Sequence, residues 1–242
     1  VGVKECVRIF TGSPMPAGAN AVVMQEDTRI DGENVEIVDG VKPFENVRLR
    51  GEDVKEGESI GCKGDLLSPG HLALLGSCGV ETVRVQRQPI IGLLATGNEL
   101  REPGAKLAPG EIFESNRQTI ARLVELTGAQ PRIYPLVPDT LDNTMAALKA
   151  AFVKCDAVVT SGGISVGEHD YVKAAFEKLG GKLDFWKVRI KPGKPFVCGR
   201  LDDKFLFGLP GNPVSAFVTF LLMVRPALLK MSGAINTELP SH

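Results

Sequence analysis

The hydrophobic pattern changes character partway along the chain. Up to about residue 88 the apolar residues come in short strand-like runs, CVRIF, AVVMQ, NVEIVD and VETVRVQ. Gly and Pro interrupt them often, as in TGSPMPAGAN and DGEN, which is the punctuation of β-structure. One helix is expected among them, with Ser68 as N-cap, Pro69 at the first helical position and HLALLGSCG running to a glycine stop. From Pro89 the rhythm is different. PIIGLLATG is a continuous apolar run, as a strand covered on both faces requires. SNRQTIARLVELTG then places Ile120, Leu123, Val124 and Thr127 on one helical face and ends at Gly128. PRIYPLVP reads as a strand and DTLDNTMAALKAAF as a helix with Leu141, Met145, Leu148 and Phe152 in one stripe. DAVVTS is a short strand, and DYVKAAFEKLG is a helix that brings Val172, Ala175, Phe176 and Leu179 together. Two more strand-like runs, KLDFWKVRI and KFLFGLP, precede an apolar helix from about Asn212. Strands alternating with helices imply an α/β domain on a parallel sheet with right-handed crossovers. The run VSAFVTFLLMV is expected to stop at Arg225-Pro226, too short to cross a bilayer, and reads as a core helix.

Composition narrows the function. The 242 residues allow one large domain or two smaller ones, and 43% hydrophobic residues suffice for a core. A net charge of -1 argues against nucleic acid or a membrane as the partner of the whole surface. The five cysteines (6, 62, 78, 155 and 198) are odd in number and form no CxxC, so neither a disulfide scaffold nor a zinc site is expected, and the cytoplasm is the expected compartment. Three histidines (71, 169 and 242) are too scattered to suggest a metal cage. The chain opens without Met inside a strand-like run and reads as a piece of a longer protein.

In an open parallel sheet, ligands bind beyond the carboxyl ends of the strands. Three loops fall there: TGNEL with Thr96, Asn98 and Glu99; VPDT with Asp139; and TSGGISVGEHDYVK with Ser161, Gly162, Gly163, Ser165, Glu168 and Asp170. Acids converging on one rim suit Mg²⁺ or proton transfer. Each has a plainer reading too. Asp139 and Asp170 both precede helices and would serve as N-caps, the glycines would make a tight connection, and Glu99 would be a solvated loop acid. In FWKVRIKPGKPF, strand periodicity would put Lys187, Arg189 and Lys191 on one face, with Lys194 following through a turn stiffened by Pro192 and Pro195. That is an exposed strand face or a local anion site. LPGNPVSAF is a turn with Asn212 as cap and Pro213 at the first helical position. No Walker lysine, GxGxxG or GxSxG occurs in a fitting place. The residues alone suggest a phosphorylated ligand bound with Mg²⁺.

In order along the chain, TGSPMPAGANAVVMQED, RGEDV, TGNEL, SNR, SGGISVGEHDYVK, WKVRIKPGKPF and GLPGNPVSAFVTF resemble the central part of MoeA-type molybdopterin molybdenumtransferases, and of the similar gephyrin E-domain. The resemblance runs from about residue 7 to residue 232. It implies a MogA-like three-layer α/β domain at 89–235, preceded by a partial β-rich domain at 1–50 and part of an elongated linker domain at 51–88, with a tail at 236–242. It implies Mg²⁺-dependent insertion of molybdate into adenylylated molybdopterin with release of AMP, in a homodimer working beside a MogA-type adenylyltransferase. The family's functional positions correspond to Thr11, Glu99, Asp139, Asp170, Lys187 and Lys191. Ser161, Gly162, Gly163, Ser165, Lys194, Pro195, Pro210 and Pro213 correspond to positions expected near the pterin nucleotide and molybdate, and Asp170 and Glu99 to those expected near Mg²⁺. The family's N-terminal segment with a DNSAMDGYA-like motif, and its small C-terminal β-domain, have no counterpart in these residues. Two other functions fit the same resemblance: the adenylyltransferase of the same pathway, and a gephyrin-like scaffold for a partner peptide.

Overall fold

The structure is a computed structural model, and it describes residues 1–163 and 171–238. The chain folds as two compact units, Val1–Ile60 and Gly61–His242.

The first unit is built from turns and one hairpin. A 3-10 turn at Gln25–Asp27 leads into β1 (Thr28–Asp31), which pairs antiparallel with β2 (Asn34–Ile37). Gly32 opens the two-residue connection at φ +57°, a conformation that strains any residue with a side chain. No residue of this unit is buried, and Val3, Phe10 and Ile30 are 94%, 77% and 73% exposed. The second unit begins the same way. Helix α1 (Pro69–Ser77) is capped as its sequence predicts: the Ser68 hydroxyl accepts from the His71 N–H at 3.3 Å, and the His71 ring accepts from the Ser68 N–H at 3.2 Å. Yet α1 buries nothing, and Pro89 is the first buried residue of the chain.

The core starts there. In chain order follow β3 (Ile90–Ala95), the short parallel pair β4 (Leu100–Arg101) and β5 (Ile112–Phe113), α2 (Asn116–Glu125), β6 (Gln130–Ile133), α3 (Leu141–Lys154), β7 (Ala157–Ser161) and α4 (Tyr171–Lys178). They are followed by β8 (Lys182–Lys187), β9 (Pro195–Leu201), β10 (Lys204–Leu209), α5 (Pro213–Thr219), a π-helical stretch (Phe220–Val224) and α6 (Arg225–Met231). Six strands form one sheet in the order β6-β3-β7-β10-β9-β8. The first four run parallel. Successive side chains of each strand enter opposite layers, as the two-residue period demands. Ile91, Leu93 and Val159 pack with Ile120, Val124, Phe220 and Leu228 on one face, and Leu94 and Val158 pack with Leu148, Phe152 and Phe176 on the other. This is a three-layer α/β domain.

Three expectations are corrected. The sheet is mixed, because β9 runs antiparallel to both neighbours. Its run PFVCGRL is headed by proline, which a strand tolerates at its first residue, and is interrupted by Gly199. Second, β8 ends at Lys187, so Lys187, Arg189 and Lys191 are not alternate residues of one strand. The Val188 N–H instead donates to the Lys194 carbonyl at 3.1 Å and closes residues 188–194 into a loop between β8 and β9. Third, the last helix does not stop at Arg225-Pro226. It runs from Pro213 to Met231, long and apolar enough by composition to cross a membrane. Ala216, Thr219, Phe220, Val224 and Leu228 are nevertheless buried in the second unit. A proline inside an α-helix removes one N–H and crowds the carbonyl four residues back. Here the preceding turn is widened, with the Arg225 N–H reaching the Phe220 carbonyl, and this accommodates Pro226.

Candidate functional site

The parallel strands β6, β3, β7 and β10 end at one edge of the sheet. The ladder continues a step past the strands: Val137 N–H donates to Ala95 O at 3.0 Å, Thr96 N–H to Ser161 O at 3.2 Å, and Gly162 N–H to Leu209 O at 3.2 Å. Because β9 is antiparallel to both β10 and β8, β8 points the same way as the parallel set. The end of β8, the loop 188–194 and the start of β9 therefore lie at this same edge. Glu99, Asp139, Ser161, Gly162, Gly163, Lys187, Lys191, Lys194, Pro195, Pro210 and Pro213 are thus gathered on one rim by topology. Thr11 lies in the first unit, exposed, in a turn closed by Ser13 N–H on Phe10 O at 3.0 Å. Ser165 and Asp170 lie outside the described residues.

Asp139 does not cap α3. Thr140 is the N-cap, its hydroxyl accepting from the Asn143 N–H at 3.3 Å. Asp139 faces the neighbouring loop instead. One carboxylate oxygen accepts from the Asn98 N–H at 3.3 Å, and Asn98 Oδ1 accepts from the Asp139 N–H at 3.1 Å. Glu99 is exposed, and its carboxylate folds back over Gly97, with both oxygens 2.9 Å from where a Cβ on Gly97 would sit. It makes no side-chain hydrogen bond or ion pair among the described residues, and neither do the exposed Lys191 and Lys194.

The two glycines are required by packing. Gly162 and Gly163 adopt φ +80° and +66°. A Cβ on Gly162 would lie 2.6 Å from Thr96 O, and one on Gly163 would lie 2.6 Å from Thr96 Oγ1 and 2.7 Å from Val172 Cγ2. The close approach is to Thr96, so these glycines need no ligand to explain them. Thr96 is 5% exposed and its hydroxyl has no partner among the described residues. In the cationic loop, Gly193 (φ +108°) is seated on the last helix in the same manner, where a Cβ would run into Thr219 Oγ1.

The SNR tripeptide carries more than its sequence suggested. The Asn116 side-chain amide donates to the Gly211 carbonyl at 2.8 Å, and the Asn212 side chain caps α5 by accepting from the Ser215 N–H at 3.2 Å. Arg117, 4% exposed, donates through Nε to Glu114 (2.7 Å), through Nη2 to Glu102 (2.8 Å) and through Nη1 to the Tyr134 carbonyl (2.6 Å). Burial pulls its pKa down, and the two carboxylates outweigh that and leave it above its ordinary value. One signal was legible: a cation in the first turn of a helix opposes the helix dipole and needs a reason.

Mg²⁺ takes oxygen ligands and is commonly held by one or two protein carboxylates, with waters and substrate phosphates completing the shell. Glu99 fits that requirement, and Asp139 offers the oxygen that Asn98 does not occupy. No group of three or more His, Cys, Asp or Glu side chains forms a metal cluster among the described residues. An apolar cleft of about 620 Å³ lined by Phe185, Phe196, Phe205, Phe207, Met223 and Met231, among others, contains none of the candidate residues.

Residues 92–230 match the family described as a probable molybdopterin binding domain, and residues 1–79 match the MoeA N-terminal region, domains I and II. A molybdopterin molybdenumtransferase of Haemophilus influenzae is 42% identical over 240 residues, 99% of this chain and 59% of the relative. Its counterpart in Staphylococcus aureus (strain COL) is 40% identical over 242 residues, 98% and 56%. Two crystal structures of a molybdopterin biosynthesis MoeA protein from Pyrococcus horikoshii superpose with TM-scores of 0.71 (31% identity, 92% of this chain and 55% of that one) and 0.67 (35%, 96% and 56%). The chain spans somewhat over half the length of the curated relatives it matches.

Proposed function

The chain belongs to the MoeA family, whose molybdopterin-binding domain occupies residues 92–230, and from that membership we propose that it acts in inserting molybdate into adenylylated molybdopterin, with release of AMP. The observation that carries this reading is the presence of opposite charges along one edge of the sheet. The exposed Glu99 carboxylate and the half-buried Asp139 stand on two neighbouring loops, and the exposed Lys191 and Lys194 project from a third. A ligand bearing phosphates and accompanied by Mg²⁺ satisfies both sets at once.

In this reading Glu99, with Asp170, holds Mg²⁺, which when bound neutralises charge on the phosphate oxygens. Lys187 and Lys191 attract the anionic substrates, and Lys194 with Pro195 takes the molybdate end. Ser161, Ser165 and the backbone of Gly162 and Gly163 border the pterin nucleotide, as do Pro210 and Pro213. Asp139 orients the Glu99 loop through Asn98. Thr11 belongs to the same proposal as a functional position. The homodimer is supported by the surface of residues 1–88, where no residue is buried and Phe10, Ile30, Leu66 and Leu72 stand exposed. The division of that stretch at residue 50, with α/β structure from 89 to 235 and a tail at 236–242, belongs to the same proposal. So do a cytoplasmic setting and a MogA-type adenylyltransferase as supplier. The match of residues 1–79 to the MoeA N-terminal region favours this reaction over adenylyl transfer itself.

The test is incubation of the protein in its native length with adenylylated molybdopterin, Mg²⁺ and molybdate. Release of AMP that depends on molybdate is expected. No such release, or consumption of ATP with unmodified molybdopterin, would overturn the assignment.

A further inference from the structure

We infer that the tripeptide Ser115-Asn116-Arg117 ties together three of the loops that form the rim, and that Asn116 and Arg117 are positioning residues for the site. The inference rests on the functional reading for its catalytic consequence, but not for its structural content.

The two side chains reach in different directions from adjacent residues at the start of α2. Asn116 holds the carbonyl of Gly211, 95 residues away, in the turn between β10 and α5. Arg117 holds Glu102, which follows β4 just beyond the TGNEL loop, and the carbonyl of Tyr134, which begins the approach to Asp139. Glu114 completes the arrangement. Its two oxygens accept from the Arg117 N–H at 2.9 Å and from Nε at 2.7 Å, and at 3% exposure it shares the burial of the arginine. A planar guanidinium with donors in a fixed fork sets the relative position of three acceptors, which a lysine cannot reproduce.

The loops so held are those joined at their tips by Asn98 and Asp139. Glu99 adjoins that junction. Arg117 at the base and Asn98–Asp139 at the tip therefore fix the Glu99 loop against the Asp139 loop at two points. Asn116 fixes the Gly211 turn against the same helix start. Neither Asn116 nor Arg117 has to touch a ligand. Their effect is on where Glu99, Asp139 and Pro210–Pro213 stand.

Amide hydrogen exchange and steady-state kinetics on Arg117→Lys, Asn116→Ala and Glu102→Ala test this together. Glu102 has a side chain 57% exposed, so its variant keeps the fold if the arginine variant does not. For Arg117→Lys and Glu102→Ala, exchange at the Asn98 and Asp139 amides should rise at least tenfold, while Val158 and Val159 in β7 keep their protection. For Asn116→Ala the rise should appear at Ser215. With Arg117→Lys, kcat for molybdate-dependent AMP release should fall on the order of 100-fold, the cost of misplacing a group by about 1 Å, with KM changed only a few-fold. Unchanged exchange at the rim, or a rise spread evenly through the core, would overturn the inference. Selective rim exchange in a protein whose wild type releases no AMP would sustain the loop-tying role and sink the functional reading instead.

Discussion

Asn98 and Asp139, 41 residues apart in sequence, hold each other by reciprocal hydrogen bonds in which each side-chain oxygen accepts from the other's backbone N–H, at 3.1 and 3.3 Å. The pair joins the loops after β3 and before α3, and it frees Asp139 from the capping role that its sequence position suggested. Thr140 has that role. Thr140→Ala should therefore cost about 1 kcal/mol of stability, as loss of an N-cap does. Asp139→Ala should cost less in urea denaturation, while lowering turnover more than Thr140→Ala does. Equal stability losses with equal turnover would place both residues in the helix start alone.

Gly163→Ala should destabilise the protein by roughly 1–3 kcal/mol, because a left-handed backbone and a close contact act together. The contact is with Thr96 Oγ1, whose hydroxyl has no partner among the described residues, so adding Thr96→Ala should restore part of the loss. No such rescue is expected for Gly162→Ala, whose contact is with the Thr96 carbonyl. A thermal-unfolding double-mutant cycle reads the difference. Additive effects in the Gly163 cycle would show that the packing against Thr96 is not what excludes a side chain.

Lys191→Ala and Lys194→Ala should leave stability within about 0.5 kcal/mol, since both side chains are exposed and make no ion pair among the described residues. Affinity for adenylylated molybdopterin should fall, and the dependence of binding on salt should weaken with each lysine removed. Isothermal titration at two ionic strengths measures both. Unaltered affinity and salt dependence would remove the lysines from the site.

How far the sequence could be read depended on the range of the interaction. The helical stripe of Leu148 and Phe152 and the continuous run of β3 are local patterns imposed by burial, and they identified the α/β domain. The caps at Ser68 and Asn212 are equally local. What escaped was set by partners distant in sequence. The strand β9 is defined by its neighbours more than by PFVCGRL itself. The alternation of Lys187, Arg189 and Lys191 resembled a strand face until the Val188–Lys194 bond closed a loop there. The glycines of SGG were legible as necessary, but their reason is Thr96, 67 residues earlier in the numbering from Gly163. Arg117 was quoted in a motif, and its acceptors lie on three separate segments.

At the opposite end of β7, Asp156 accepts from Arg87 at 2.6 and 2.7 Å and from the Ile90 N–H at 2.7 Å. The Arg87 bond, outweighing burial and helped by the Ile90 amide, holds the Asp156 carboxyl below its ordinary range. A carboxyl with a lowered native pKa contributes stability that is present above the unfolded-chain value, near pH 4, and is lost as pH falls through the native value. Asp156→Asn should therefore flatten the acid side of the stability profile below about pH 5. An unchanged acid limb in urea titrations from pH 7 to pH 3 would contradict the assignment.

The most direct test of the central claim is amide hydrogen exchange with and without adenylylated molybdopterin in Mg²⁺. Protection is expected at the sheet's carboxyl edge: residues 96–99, 161–163, 188–195 and 210–213. Protection confined to the apolar cleft lined by Phe185, Phe196 and Met231, or binding that leaves the edge unchanged, would contradict it.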